Sequence, residues 1–286
     1  MLALGEENVL PAGSIPRPGW AHIDLAALCH RPELAEQIFG EEDIAAVYCV
    51  GGATDVERCE TDRQWASETN HLGPAVLASV CTRVPFVYFS TEYVFDGVSG
   101  PYTESSAVNP ICVYGETKML GEKAILDAHP SPLILRTTVV YGEDPGAKNF
   151  LYALRRNLTG GTSMRVPNDQ VSTPTYNRDL AKASTLLVEG RYSGIFHICG
   201  PDLLSRYEFA VRCAAIMQLD PTLIIGVATS SLSQKASRPL NAGLLSSKLR
   251  DALPDFRMRG LEDGVQEWLT HSTSAEETIG CLPGRN

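Results

Sequence analysis

A chain of 286 residues with a net charge of −10 at pH 7 and 44% hydrophobic residues has room for one α/β domain with a smaller appendage. Its acidity, uninterrupted by any lysine or arginine run, excludes a nucleic-acid-binding surface. Its longest apolar stretches are strand-sized, far short of the ~20 residues a membrane helix needs, and the first residues lack the basic region of a secretory signal. A cytoplasmic protein without a membrane segment is therefore expected.

Residues 1–21 are rich in glycine and proline and read as irregular, and 22–39 follow a helical pattern interrupted at Pro32. The continuous apolar run 44–50 reads as a buried strand ending at Gly51 and Gly52, the pattern of a parallel sheet covered on both faces. A helix over 63–83, a strand over 86–90, a helix within 109–128 opening after Pro110 and a strand over 133–141 follow. That alternation predicts a doubly wound parallel sheet. Beyond Gly142 we expect helices at 149–158, 179–189, 205–218 and 261–270, short strands at 164–167 and 170–175, and a strand at 195–199. Residues 1–145 would form the dinucleotide-binding domain. Residues 146–271 would form a substrate-binding part interleaved with the sheet, and 272–286 a disordered tail.

The eight cysteines include no Cys-x-x-Cys pair and no zinc-ligand spacing, so reduced thiols and no metal site are expected. The histidines are scattered; His197, in an apolar run, reads as a core residue. Asp179 reads as a helix N-cap. The Tyr93 and Phe95 pair reads as packing.

Tyr114 and Lys118 stand four residues apart, on one face of a helix about a turn from each other. An ammonium beside a phenol favours the phenolate and lowers the tyrosine pKa from ~10, which suits proton delivery to a carbonyl oxygen. The Thr91 hydroxyl, at the end of the preceding strand, would give that oxygen a second hydrogen bond. Tyr-x-x-x-Lys alone recurs by chance; its place 23 residues after Thr91 gives it weight.

The run Ser90-Thr91-Glu92-Tyr93-Val94-Phe95-Asp96-Gly97, the segment from Asn109 through Tyr114 to Lys118, Arg165-Val166-Pro167-Asn168-Asp169-Gln170, Thr173-Pro174-Thr175-Tyr176 and Arg238-Pro239-Leu240-Asn241 resemble the dTDP-4-dehydrorhamnose reductase family. That family includes the regulatory β subunit of methionine adenosyltransferase, and the resemblance spans about residues 44–270. It implies a Rossmann-like fold and an NADP or NAD cofactor. It also implies Tyr114 as general acid, Lys118 as its partner and ribose clamp, and Thr91 as donor to the substrate carbonyl. Gly51, Gly52, Ala53, Asn70 and Ser90 would join Tyr114 and Lys118 at the cofactor, and Glu92, Tyr93 and Arg238 would meet the substrate. Glu92 stands where the family has aspartate.

One departure is larger. The family's Gly-x-x-Gly-x-x-Gly turn, whose N–H groups hold the cofactor diphosphate, occurs nowhere in this sequence, so an N-terminally incomplete Rossmann unit is expected. Two functions follow from the resemblance: an NAD(P)H-dependent reductase of a 4-keto nucleotide sugar, or a non-catalytic subunit partnered by a methionine adenosyltransferase catalytic subunit. A truncated form of a normal reductase gives the same pattern. A homodimer is compatible with either.

Overall fold

The computed structural model describes residues 12–13, 21–22, 24–39, 44–144 and 146–280; most of the stretch read as irregular lies outside them. Within it, Ala12–Gly13 (β1) and Ala21–His22 (β2) pair in parallel. The helical pattern before the first long strand divides at Pro32 into α1 (Leu25–Leu28), capped by the Asp24 carboxylate on Ala26 N, and α2 (Glu33–Phe39).

Four parallel strands form the central sheet, and each was marked in the sequence by a continuous apolar run. They are β3 (Val47–Cys49), β4 (Phe86–Thr91), β5 (Leu133–Thr137) and β10 (Gly194–His197), in the order β10–β5–β4–β3. Val47 lies opposite Phe86, Val87 opposite Leu133, and Ile195 opposite Ile134. The first strand is shorter than its apolar run, and it stops before Val50, whose N–H turns back to Tyr48 O at 3.1 Å.

Alternation along β4 and β5 builds two cores. Phe86, Tyr88 and Ile134 pack under α1, α2, α5 (Gly73–Val80) and α6 (Val113–Ala128). Val87, Leu133 and Leu135 pack against α8 (Asn177–Glu189) and α10 (Ser247–Ala252) on the other face. A doubly wound, Rossmann-like α/β sheet is thus the architecture. A third core gathers α7 (Phe150–Thr159), α9 (Arg206–Ile216) and α11 (Leu261–Gly280) around Tyr141, Phe209 and Trp268.

Four sequence expectations need correction. The helix expected over 63–83 is α4 (Arg63–Ser67), a π turn (Glu68–Leu72) and then α5, preceded by the short α3 (Val56–Thr61). The π turn frees the Asn70 carbonyl to accept the Tyr88 hydroxyl at 2.6 Å. The strand expected over 133–141 breaks at Val139, whose φ of 40° is strained for a β-branched residue. There β6 (Val140–Tyr141) leaves the sheet and pairs with β9 (Thr175–Tyr176). Asp179 is no cap: it lies inside the first turn of α8, buried, and pairs with Arg259. Finally, α11 continues to Gly280 through residues read as tail, since extending a formed helix costs far less than starting one; residues 281–286 lie outside the described ones.

The remaining short strands bring the second half of the chain to the sheet's carboxyl edge. β7 (Met164–Pro167) pairs with β12 (Ile224–Val227), and β8 (Val171–Ser172) with β11 (Leu204–Ser205). No helix among the described residues is long and apolar enough to cross a membrane.

One buried charge cluster pins α6 to the sheet. Glu122 receives Arg136 Nε at 2.9 Å and Nη2 at 2.6 Å, and the Ser90 hydroxyl at 2.5 Å. Both charged side chains are under 5% exposed, at 3% and 4%. His197 is buried as expected, with Nδ1 at 3.2 Å from Tyr102 O.

Candidate active site

The carboxyl ends of β4 and β5 open into a cleft of about 260 Å³ whose lining includes Thr91, Glu92, Tyr93, Tyr114, Thr138 and Arg206. Such crevices at strand ends are where open α/β sheets bind ligands. Thr91 ends β4, and its hydroxyl accepts Tyr93 N at 3.2 Å, turning the chain into the one-turn helix Glu92–Val94. Tyr114 lies in the first turn of α6, and its ring meets the edge of Tyr93 with centroids 5.4 Å apart. The approach is close because residue 115 is glycine: a Cβ there would stand 2.0 Å from Tyr93 O.

Lys118 follows one turn later, buried behind the cleft. Its ammonium donates to Phe89 O at 2.6 Å and lies 3.9 Å from the Tyr88 ring centroid, and burial pushes its pKa down to about 8. The expected depression of Tyr114 is not what this conformation holds. Burial lifts the phenol above its usual range, the Thr91 hydroxyl opposes that, and Glu92 and Tyr93 add to it. The lysine charge is spent first on the Phe89 carbonyl.

Glu92 is buried beside Thr91, with Oε2 at 3.3 Å from Thr91 Oγ1. Burial raises its pKa from the ordinary 4.5 to about 7, against hydrogen bonding from Thr138 and Thr91 and the charge of Arg206. The folded chain thus holds this proton up to about pH 7, while the unfolded chain releases it near 4.5. The associated stability is full below about 4.5 and lost as pH rises through about 7. Glu92→Gln should accordingly melt near the wild-type temperature at pH 5 and above it at pH 8. At about 1.36 kcal/mol per pKa unit the pH 8 gain is at most about 3 kcal/mol. An equal change at both pH values would contradict the assignment.

Three expected cofactor residues have structural duties. Asn70, in the π turn, receives Ala53 N at 2.8 Å and donates to Ala53 O at 3.2 Å and Thr117 Oγ1 at 3.1 Å. It ties the turn after β3 to α6 and has no amide group left for a ligand. Ser90 lines the cleft but gives its hydroxyl to Glu122. Ala53 is fully buried. Gly51 and Gly52 remain as backbone: a Cβ on Gly52 would stand 3.0 Å from Asn70 Oδ1 and 3.9 Å from Lys118 Nζ, and one on Gly51 3.1 Å from Leu25. Arg238 pairs with Glu57 at 2.7 Å, which also accepts Lys235 N, and its guanidinium carbon lies 5.9 Å from the Tyr93 ring centroid.

Sequence reasoning missed Thr138 and Arg206. A signal existed for Arg206. It opens α9 directly after the N-cap Ser205, inside the Ser205–Glu208 capping box, and a cation at a helix N-terminus opposes the helix dipole, which asks for another reason to be there.

A family model described as RmlD substrate binding domain matches residues 21–274. A probable low-salt glycan biosynthesis reductase of Haloferax volcanii is 31% identical over 227 residues, covering 77% of this chain and 76% of that protein. The methionine adenosyltransferase 2 subunit beta of Danio rerio is 33% identical over 199 residues, 66% of this chain and 61% of that protein. Among solved structures, the dTDP-4-dehydrorhamnose reductase of Bacillus anthracis in complex with NADP superposes with a TM-score of 0.80 at 25% identity, covering 90% of this chain and 92% of that one.

Proposed function

We propose, from the premise that the chain belongs to the RmlD substrate binding domain family, that it is an NAD(P)H-dependent reductase of a 4-keto nucleotide sugar. The observation that carries this reading is the convergence of Thr91 and Tyr114 on one cleft, with Lys118 one helical turn behind. The relatives named as reductases support it.

The residues fit the nicotinamide–ribose end of such a cofactor. The Gly51–Gly52 turn passes beside Lys118, and that ammonium offers three donors of which Phe89 O takes one. For the diphosphate end, the sequence contains no glycine-rich turn. When bound, a reduced nicotinamide supplies hydride. The chain's own contribution is then threefold. Thr91 Oγ1 donates to the ketone oxygen and holds the carbonyl in place. Tyr114 delivers the proton to that oxygen as it gains negative charge. Lys118 would hold the ribose hydroxyls and favour the phenolate that Tyr114 leaves behind.

The test is nicotinamide oxidation by the purified protein with dTDP-4-dehydrorhamnose, alongside calorimetric titration of NADPH and NADP⁺. Turnover is expected; absence of both binding and turnover at millimolar cofactor overturns the reading. A second reading, a regulatory subunit of a methionine adenosyltransferase, is favoured by the Danio rerio relative and by the missing glycine turn. Co-purification with a methionine adenosyltransferase catalytic subunit would support it, and failure to associate at micromolar concentration would remove it.

A further inference from the structure

We infer that Arg206 is the anion anchor of this cleft, and that the ligand bound there carries a phosphate or carboxylate group paired with the Arg206 guanidinium. The inference rests on the cleft being the substrate site, and it adds the residue and the charge that select the substrate.

The partnering of the arginines sets this one apart. Arg136 pairs with Glu122, Arg178 with Glu143, Arg212 with Glu262, Arg238 with Glu57 and Arg259 with Asp179. Arg206 is half-buried and lines the cleft, yet among the described residues no carboxylate forms an ion pair with it and no acceptor takes a hydrogen bond from its guanidinium. Its backbone is fixed, with the N–H donating to Gln170 O at 2.8 Å. Its guanidinium carbon lies 4.8 Å from the Phe150 ring centroid, a contact with the ring that takes none of its N–H donors as a hydrogen-bond acceptor would.

A charge left this way is costly to bury unless something pairs with it. Burial depresses the Arg206 pKa, the neighbouring charge of Arg238 depresses it further, and Tyr93 and Glu92 only partly compensate. Arg238 adds an independent sign. Its side chain is 10% exposed, and its Nη1 is buried without a hydrogen-bond partner although the other branch holds Glu57. Two guanidinium groups near Tyr93, each with unused donors, repel each other until an anion stands between them. Planar forks of this kind match phosphate and carboxylate oxygens two at a time. Glu92, the acid nearest in effect, is held protonated up to about pH 7 by its burial, so it does not fill that role under acidic to neutral conditions.

The anionic group has two sources in a nucleotide sugar: the diphosphate, or a carboxylate on the sugar. Calorimetric titration of the wild-type chain, Arg206→Met and Arg206→Lys with dTDP, thymidine, UDP-glucose and UDP-glucuronate separates them. Arg206→Met should weaken dTDP at least about tenfold, Arg206→Lys less, and thymidine not at all. A wild-type preference for UDP-glucuronate over UDP-glucose that vanishes in Arg206→Met assigns the anchor to the sugar carboxylate. Equal losses for both sugars assign it to the diphosphate. Undiminished dTDP and UDP-glucuronate binding by folded Arg206→Met and Arg206→Lys overturns the inference, as does a wild-type chain that binds none of the anionic probes. Arg206-dependent dTDP binding without nicotinamide oxidation leaves the anchor standing and removes the reductase reading. Turnover with Arg206-independent binding does the reverse.

Discussion

Tyr114→Phe should lower the rate of keto-sugar reduction about a thousandfold while leaving the fold intact. The estimate follows from what a positioned proton donor contributes, about 10²–10⁴ in rate. The substitution removes one oxygen and keeps the ring, whose edge contact with Tyr93 at 5.4 Å is unchanged. Because burial already penalises the ionised phenol, and the folded protein keeps the neutral form, losing the hydroxyl leaves the melting temperature within a few degrees. The measurement is steady-state reduction beside thermal unfolding of the same preparation. The loss should appear in kcat more than in KM, since the proton moves only in the transition state. A rate within threefold of wild type would assign proton delivery to another group, with Glu92 the first to examine.

Arg136→Met should cost about 3–5 kcal/mol of stability, the largest effect expected away from the cleft. Removing the guanidinium leaves the Glu122 carboxylate buried with, among the described residues, the Ser90 hydroxyl as its one remaining hydrogen-bond donor, and a buried charge that has lost its partner is far more harmful than a missing pair. The pairing also sets a distinctive pattern for the double variant. Arg136→Met with Glu122→Leu replaces both charges by apolar groups and should recover much of the loss, so that the double variant is more stable than Arg136→Met. Denaturant unfolding at pH 7 of the three variants checks this; strictly additive losses would mean that the pair is not the unit we describe.

How far the sequence carried the fold depended on how local each determinant was. Strands β4 and β10 lie in apolar runs bounded by polar or turn residues, so their positions were legible within two residues, as was the start of β5. The departure of β6 was not, because Val139 at φ 40° is held by its surroundings against its own preference, and nothing in Thr-Val-Val-Tyr announces that. The site divides along the same line. Thr91, Tyr114 and Lys118 are spaced in a way that chemistry recognises. The direction of the Tyr114 pKa was misjudged because spacing gives proximity, while burial and the pull of Phe89 O on Lys118 are properties of the whole packing. Asn70 was marked as a residue of the site, and the structure makes it a brace: its three hydrogen bonds go to the chain itself. Arg206 was passed over because a single arginine at a helix start carries meaning only once its lack of a partner is visible.

The π turn at Glu68–Leu72 has a consequence for how this protein tolerates change. A π turn amounts to one extra residue in a helix, so the two flanking segments are out of phase by about 100° relative to an unbroken α-helix. Upstream, Ala66 keeps its place in the small cluster with Ala53, Cys59 and Val113, and downstream Leu77 and Ala78 keep theirs under the sheet. Deleting any one residue from 68–72 would restore an unbroken helix and improve it as a helix. It would also rotate one of those faces out of the interior, and with it either the Asn70 brace or the buried side of α5. Substitutions at positions of this stretch other than Asn70 can be absorbed one at a time; a change of length there cannot.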